Sequence, residues 1–325
     1  MHIIVTGGTG FIGRKLIDKL LDLGSLDLGG GPEPIDEIQA VDLQSPLVPL
    51  PNDPRLRFTA GDMSDKTVAN TLVTPDVGGV FHLAALASGG AEADFDLGVR
   101  ANLHGTMNLL EAMRTHAAGN RLVFSSTVAA FGGDLPEVLT DETPARPQSS
   151  YGSQKVMCEL FMNDYRRRGF VDGRGLRLPT IVVREGAPNT AASSFMSNII
   201  REPTAGEATI CPVPPETAMW VLSPDRVTDA LIHAMELPGE VWEPFSVVNL
   251  PGITASVAEA LDALEAVAGA DARGLVGFET DEEVMKLVRT WPVRFETPRA
   301  LEMGFRPDAS FRAIVEQHQK AMGRT

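Results

Sequence analysis

A doubly wound α/β fold, with a parallel sheet covered by helices on both faces and a smaller C-terminal α+β lobe, is what this sequence predicts. Three observations predict it. The chain opens on a short apolar run, His2 to Thr6, broken by glycines at Gly7, Gly10 and Gly13. Five further apolar runs of strand length alternate with helical periodicity up to residue 183. A helix with clear start and stop signals follows Ser149 and Ser150 and carries Tyr151 and Lys155 four residues apart.

The bulk numbers set the class. At 325 residues, 43% hydrophobic and 22% charged, the chain has the composition of a globular protein with a sizeable core. Its net charge of −15 argues against a nucleic-acid partner, which calls for a basic footprint. The charge does not exclude an anionic cofactor, because helix N-termini and backbone N–H groups can hold phosphates locally. Cys158 and Cys211 are too few for a disulfide framework and lack metal-ligand spacing, so no metal is expected. No basic, apolar leader opens the sequence and no apolar run is long enough to span a bilayer. The expectation is a cytoplasmic protein with no membrane partner.

Taken in order, the first strand ends at the glycine turn, and Phe11, Ile12, Leu16, Leu20 and Leu23 then recur at helical spacing. Strand, glycine turn and helix make a dinucleotide-binding opening. The glycines allow a tight turn, close approach to a pyrophosphate, and tight helix–strand packing. The second strand, around Glu37–Leu43, places Asp42 at its tip. An acid there accepts hydrogen bonds from the adenosine ribose and repels a 2′-phosphate, which favours NAD over NADP. A surface aspartate without a role is the alternative. A third strand, Leu56–Ala60, runs into Gly61 and Asp62 near the expected adenine edge, and Ser64 is expected to cap the next helix. The fourth, beginning at Val80, ends in Leu83, Ala84 and Ala85, small enough to let backbone approach a cofactor. His82 within it reads as structural.

A long helix containing Asn102 follows. The fifth strand, Arg121–Phe124, delivers Ser125, Ser126 and Thr127. The Tyr151 helix comes next, with Arg166, Arg167 and Arg168 at its negative end and Gly169 as its stop. Tyr151 and Lys155 share one face of it. An ammonium one turn away favours the phenolate and brings the phenol toward the range of an acid/base catalyst. A surface tyrosine and a solvated lysine would have the same spacing. A sixth strand is expected over Leu176–Val183. Beyond it the prolines at 188, 203, 212, 214, 215 and 224 interrupt short elements, with amphipathic helices at Asp225–Leu237, Val257–Val267 and Asp308–Met322. The expected division is a Rossmann-type cofactor domain over 1–185 and a mainly substrate-binding lobe over 186–325. Segments around 219–250 return to the first domain.

With Thr6-Gly7-Gly8-Thr9-Gly10-Phe11-Ile12-Gly13, Asp42, Gly61-Asp62, His82-Leu83-Ala84-Ala85, Asn102, Ser125-Ser126-Thr127 and Tyr151/Lys155 in this order, residues 1 to about 240 resemble the extended short-chain dehydrogenase/reductases. That group includes nucleotide-sugar epimerases and dehydratases. The resemblance implies that the glycine turn, Phe11, Ile12, Asp42, Gly61, Asp62, Leu83 to Ala85, Asn102 and Ser125 bind NAD. Tyr151 and Lys155 join them, and so do Leu178, Pro179 and Ile181. It implies Tyr151 as general acid/base, Lys155 as its pKa-lowering partner and ribose ligand, and a Ser or Thr hydroxyl polarising the reacting group. Register from Gly132 gives that hydroxyl to Thr127, with Ser126 beside substrate or cofactor; Phe131 stands where many epimerases carry tyrosine.

The stretch Arg177–Arg184 through Phe195, Asn198 and Arg201 looks like the branch that oxidises a four-carbon sugar acid, D-erythronate, with NAD; Glu185 departs from the proline expected there. Thr180, Arg184, Phe195, Asn198 and Arg201 are the implied substrate residues. A carboxylate needs an anchor and a guanidinium fork suits one, Arg201 first and Arg184 second, although either could form a structural ion pair. A nucleotide-sugar epimerase or dehydratase with retained NAD is the alternative, and a non-catalytic NAD sensor a third. A homodimer through the two long helices is the family habit.

Overall fold

The computed structural model describes residues 1–186 and 192–323; Pro188 lies outside them. The chain forms two compact units. The first comprises Met1–Ala130, Pro147–Arg177 and Thr228–Val248. The second comprises Phe131–Arg146, Leu178–Val227 and Asn249–Thr325.

The first unit is built on seven strands: β1 (His2–Thr6), β2 (Glu37–Asp42), β3 (Leu56–Ala60), β4 (Val77–His82), β5 (Arg121–Thr127), β6 (Asp172–Leu178) and β7 (Val247–Asn249). Their order across the sheet is β7-β6-β5-β4-β1-β2-β3. β1 pairs in parallel with both β2 and β4, so that Thr6 lies opposite Val41 on one side and His82 on the other. Strands covered on both faces read as continuous apolar runs, and Ile3, Ile4 and Val5 are fully buried. The chain grows outward from β1 to β3, then returns to the other side of β1 with β4. In such sheets ligands bind where the order reverses, here at the carboxyl ends of β1 and β4.

Helix α1 (Phe11–Leu23) buries Gly13, Leu16, Ile17 and Leu20, and Gly24 ends it in the left-handed conformation at φ 69°. Helix α2 (Lys66–Leu72) is capped by Asp65, whose side chain accepts from the Thr67 N–H. The expected cap, Ser64, instead gives its N–H to the Asp62 side chain. Phe95–Gly98, a π-helical turn at Val99–His104 and Gly105–His116 run on as one helix, α3. Helix α4 (Ser150–Arg167) is capped by Ser149.

The expectation of one strand over Leu176–Val183 merged two elements. β6 starts at Asp172, and Thr180–Ile181 pairs instead with Ala218–Leu222 in the second unit. Gly173, Arg174 and Gly175 precede the expected strand, and all three are buried. A Cβ on Gly173 would lie 2.3 Å from Met162 Cγ, and one on Gly175 2.8 Å from Val247 Cγ2. Arg174, wholly buried, donates to the carbonyls of Ala234 and Met235 and pairs with Asp172 at 2.6 Å.

The second unit holds a sheet in the order Ile253–Ser256, Ala218–Leu222, Thr180–Ile181, and a parallel pair, Thr209–Cys211 with Val276–Phe278. Its core gathers Met196, Ile199, Val221, Leu261, Leu264 and Val315. The helices expected at 225, 257 and 308 occur as Pro224–Glu236, Val257–Ala268 and Phe311–Ala321. No helix among the described residues is long and apolar enough to cross a membrane.

Candidate active site

The glycine turn is shaped by contacts a side chain would forbid. Gly7 has φ 71°, and a Cβ on it would lie 2.8 Å from Ala84 N. A Cβ on Gly13 would strike the Gly7 carbonyl oxygen at 2.1 Å, so α1 can lie against the turn only with glycine there. Gly8, which the spacing did not single out, packs against Ala40 and donates its N–H to Val41 O at 3.1 Å. Gly10 is the N-cap of α1 and offers no side chain, and the first turn holds no acidic residue. The amides at Phe11 and Ile12 therefore open a helix of 13 residues whose positive end is neither capped nor neutralised. A pyrophosphate fits such an end.

Asp42 stands at the tip of β2, half-buried. Its Oδ2 accepts from Thr9 Oγ1 at 2.6 Å and Thr9 N at 3.1 Å, and its Oδ1 accepts from Leu43 N. The carboxylate is thus tied to the glycine turn by Thr9, a residue the motif spacing passed over. Gly61 donates its N–H to the Asp42 carbonyl. Beyond β4, Leu83 N donates to Thr6 O and Ala84 N to Thr6 Oγ1, while Ala85 is exposed. Asn102 lies in the π-helical turn, buried. Its side chain accepts from Leu86 N and donates to Leu86 O and to Gln154 Oε1. It fixes the segment after β4 and links α3 to α4.

The start of α4 is pressed onto the turn that follows β5. A Cβ on Gly152 would lie 2.2 Å from the Ala129 carbonyl oxygen, so the glycine beside Tyr151 is a packing requirement. Tyr151 is half-buried. Lys155 is 1% exposed, with its Nζ donating to Ser125 O at 2.8 Å, 4.5 Å over the Phe124 ring and 5.9 Å from the centre of the Tyr151 ring. Burial pulls the Lys155 ammonium down to about 8, opposed by Cys158 and Glu159. The ammonium therefore persists at neutral pH. His82 bonds Thr6 Oγ1 through Nδ1 and Thr106 Oγ1 through Nε2, and burial, with Lys155 nearby, lowers it to about 3. It is a neutral, fully engaged ring, as expected of a structural histidine.

The three hydroxyls of the Ser-Ser-Thr tip diverge. Ser125 Oγ donates to His82 O. Ser126 Oγ donates to the Glu159 carboxylate, which Arg177 grips through two nitrogens. Thr127, half-buried, accepts from Ala129 N at 3.1 Å and keeps its own proton to give.

The remaining expected substrate residues lie in the second unit. Leu178, Pro179, Thr180 and Ile181 form the segment from the end of β6 into the short strand. Phe195, 3% exposed, belongs to the core. Arg201 donates to Arg184 O at 2.8 Å, Asn198 Oδ1 at 2.8 Å and Glu202 Oε1 at 2.6 Å. Arg184 gives its backbone N–H to Ser197 Oγ and its Nε to Ile181 O. Phe131 stacks edge-on against Phe295 within this unit. Among the described residues no group of three or more His, Cys, Asp or Glu is placed to hold a metal.

A doubly wound sheet with an uncapped helix at its switch point and an acid on the neighbouring strand defines a dinucleotide-dependent enzyme. The model of the NAD dependent epimerase/dehydratase family matches residues 3–236, and the chain belongs to that family. It is an NAD-dependent dehydrogenase by this membership and by its relatives. A D-erythronate dehydrogenase of Cupriavidus necator is 47% identical over 323 residues, covering 99% of each chain. One of Haemophilus influenzae is 42% identical over 317 residues, covering 98% of each. Among solved structures, a nucleoside-diphosphate-sugar epimerase from Agrobacterium tumefaciens superposes with a TM-score of 0.93 at 40% identity, covering 100% of this chain and 95% of that one.

Proposed function

We propose that this enzyme oxidises a secondary alcohol of a small, D-erythronate-like sugar acid. The observation that carries the reading is the buried Lys155 ammonium, held by Ser125 O beneath the ring of Tyr151. The substrate class is supported by two relatives of that activity, similar over nearly the whole chain. NAD, when bound, supplies the hydride acceptor; the uncapped start of α1 would hold its pyrophosphate and Asp42 its adenosine ribose. Tyr151, as the phenolate, takes the hydroxyl proton of the substrate. The Lys155 ammonium lowers the cost of that phenolate. Thr127 donates its hydroxyl proton as a hydrogen bond to the oxygen on which carbonyl character develops. Ser126, committed to Glu159, supports the tip from behind. Arg184 and Arg201 stay with the substrate carboxylate in this reading, held by neighbours rather than solvated.

A homodimer in the cytoplasm completes the proposal. Within the first unit, α3 and α4 expose Phe95, Leu97, Met157, Leu160 and Phe161, an apolar face a second copy could cover. Both cysteines are buried free thiols.

The test is NADH formation from NAD with three- to six-carbon sugar acids, with UDP-sugars as controls. Four-carbon acids are expected to give stoichiometric NADH. Tyr151→Phe is expected to lower kcat by about three orders of magnitude while leaving NAD affinity largely intact; near-normal turnover in it removes the proposal. The Agrobacterium neighbour favours one other reading, nucleotide-sugar epimerisation with retained cofactor. Conversion of a UDP-sugar with no net NADH would establish that instead.

A further inference from the structure

The most deeply buried carboxylate near Lys155 enters the mechanism above only as the partner of Ser126. Glu159 lies one helical turn beyond Lys155 on α4, 1% exposed. Arg177 of β6 grips it with two bonds, Nε to Oε1 at 2.9 Å and Nη2 to Oε2 at 2.7 Å, and Ser126 Oγ donates to Oε1. The tip of β5 is therefore fastened to α4 at two successive residues. Ser125 holds Lys155 through its carbonyl and Ser126 holds Glu159 through its hydroxyl. The next residue is Thr127.

A pair this deep is a poor stabiliser, because the desolvation of both ions offsets their attraction. What it supplies is registry and charge. Lys155 is faced from its own helix by Tyr151, Cys158 and Glu159, from β4 by His82, and through Glu159 by Arg177 of β6. His82 is neutral, burial pushes the Cys158 thiol up, and Cys158 and Glu159 both favour the Lys155 ammonium. Glu159 is the carboxylate among these groups.

We propose that Glu159, gripped by Arg177, is a positioning residue for the reaction: it sets Thr127 against Tyr151 by clamping the β5 tip, and it is the counter-charge of Lys155. This rests on the Tyr151/Lys155 reading. Its charge half predicts how turnover responds to alkali, and its clamp half predicts the effect of Ser126.

The experiment is the kcat–pH profile, with KM and NADH binding by fluorescence, for the wild type, Glu159→Gln, Glu159→Asp and Ser126→Ala. In Glu159→Gln the alkaline decline of kcat is expected to move to lower pH by about one unit, because Lys155 loses its proton sooner. Glu159→Asp is expected to restore most of that position. Ser126→Ala is expected to lower kcat about tenfold with the decline unmoved and NADH affinity unchanged. If Glu159→Gln alone does not fold, Glu159→Gln/Arg177→Met is expected to move the decline in the same direction by less than about one unit, because the guanidinium that repels Lys155 leaves with the carboxylate. A folded variant lacking Glu159 that keeps the wild-type decline overturns the charge half. Ser126→Ala with wild-type kcat overturns the clamp. Turnover surviving in Tyr151→Phe would instead strike the underlying reading, so the two failures are distinguishable.

Discussion

Lys155 and Thr9 make opposite demands on their surroundings. Lys155 brings an ammonium into a site where burial disfavours it, down to about 8, and is tolerated because the Ser125 carbonyl, the Phe124 ring and Glu159 compensate. Thr9 is half-exposed, and its work is directional: its hydroxyl and N–H fix one oxygen of Asp42. A carboxylate so fixed is pre-oriented for a ribose and cannot swing away from a 2′-phosphate. Thr9→Val keeps the shape and removes the 2.6 Å bond. NAD affinity is expected to fall about tenfold and preference over NADP to narrow, with Thr9→Ser restoring both. Titration of each dinucleotide reads this directly, and unchanged affinities in Thr9→Val would exclude the role. Nothing in the glycine spacing points to Thr9, because its value depends on Asp42, 33 residues away.

At the scale of elements, α1 and α4 are both seated by a glycine that packs against a carbonyl, Gly13 on Gly7 and Gly152 on Ala129. In an open helix Gly→Ala is favourable by up to about 1 kcal/mol. At Gly13 the added methyl would sit 2.1 Å from an oxygen, so the sign reverses. Gly13→Ala is expected to lower the thermal midpoint and to weaken NAD binding by more than about tenfold, since α1 must back away from the turn. Differential scanning fluorimetry with and without NAD measures both; a variant as stable and as tight as the wild type would show that α1 tolerates the shift. The helices and the first five strands were legible because periodicity and glycine punctuation are local signals. The start of β6 was not. Its glycines are filled by Met162 and Val247, and its arginine by carbonyls of Ala234 and Met235, none of them neighbours in sequence.

For the whole molecule, the buried His82 links folding to pH. Its ring is held neutral with a value near 3, against an ordinary 6.5 in the unfolded chain. Between those values the unfolded chain binds a proton that the folded one refuses. Stability is therefore fully present above about 6.5 and is lost as pH falls toward 3, with a slope approaching about 1.4 kcal/mol per pH unit. Urea unfolding between about pH 7 and 5 is expected to show this loss, and His82→Asn to flatten it; parallel curves for the two proteins would assign the acid sensitivity elsewhere.

The sequence by itself determined the fold class, the family and the cofactor, because each rests on residues close together in the chain: the turn from Gly7 to Gly13, the tip at Asp42, the spacing of Tyr151 and Lys155. Only the tertiary structure decided how the Ser125-Ser126-Thr127 hydroxyls divide, what grips Arg201, and where β6 begins. The physical reason is common to all three. A polar side chain's availability is set by the partners that desolvation forces on it, and those partners arrive from distant parts of the chain.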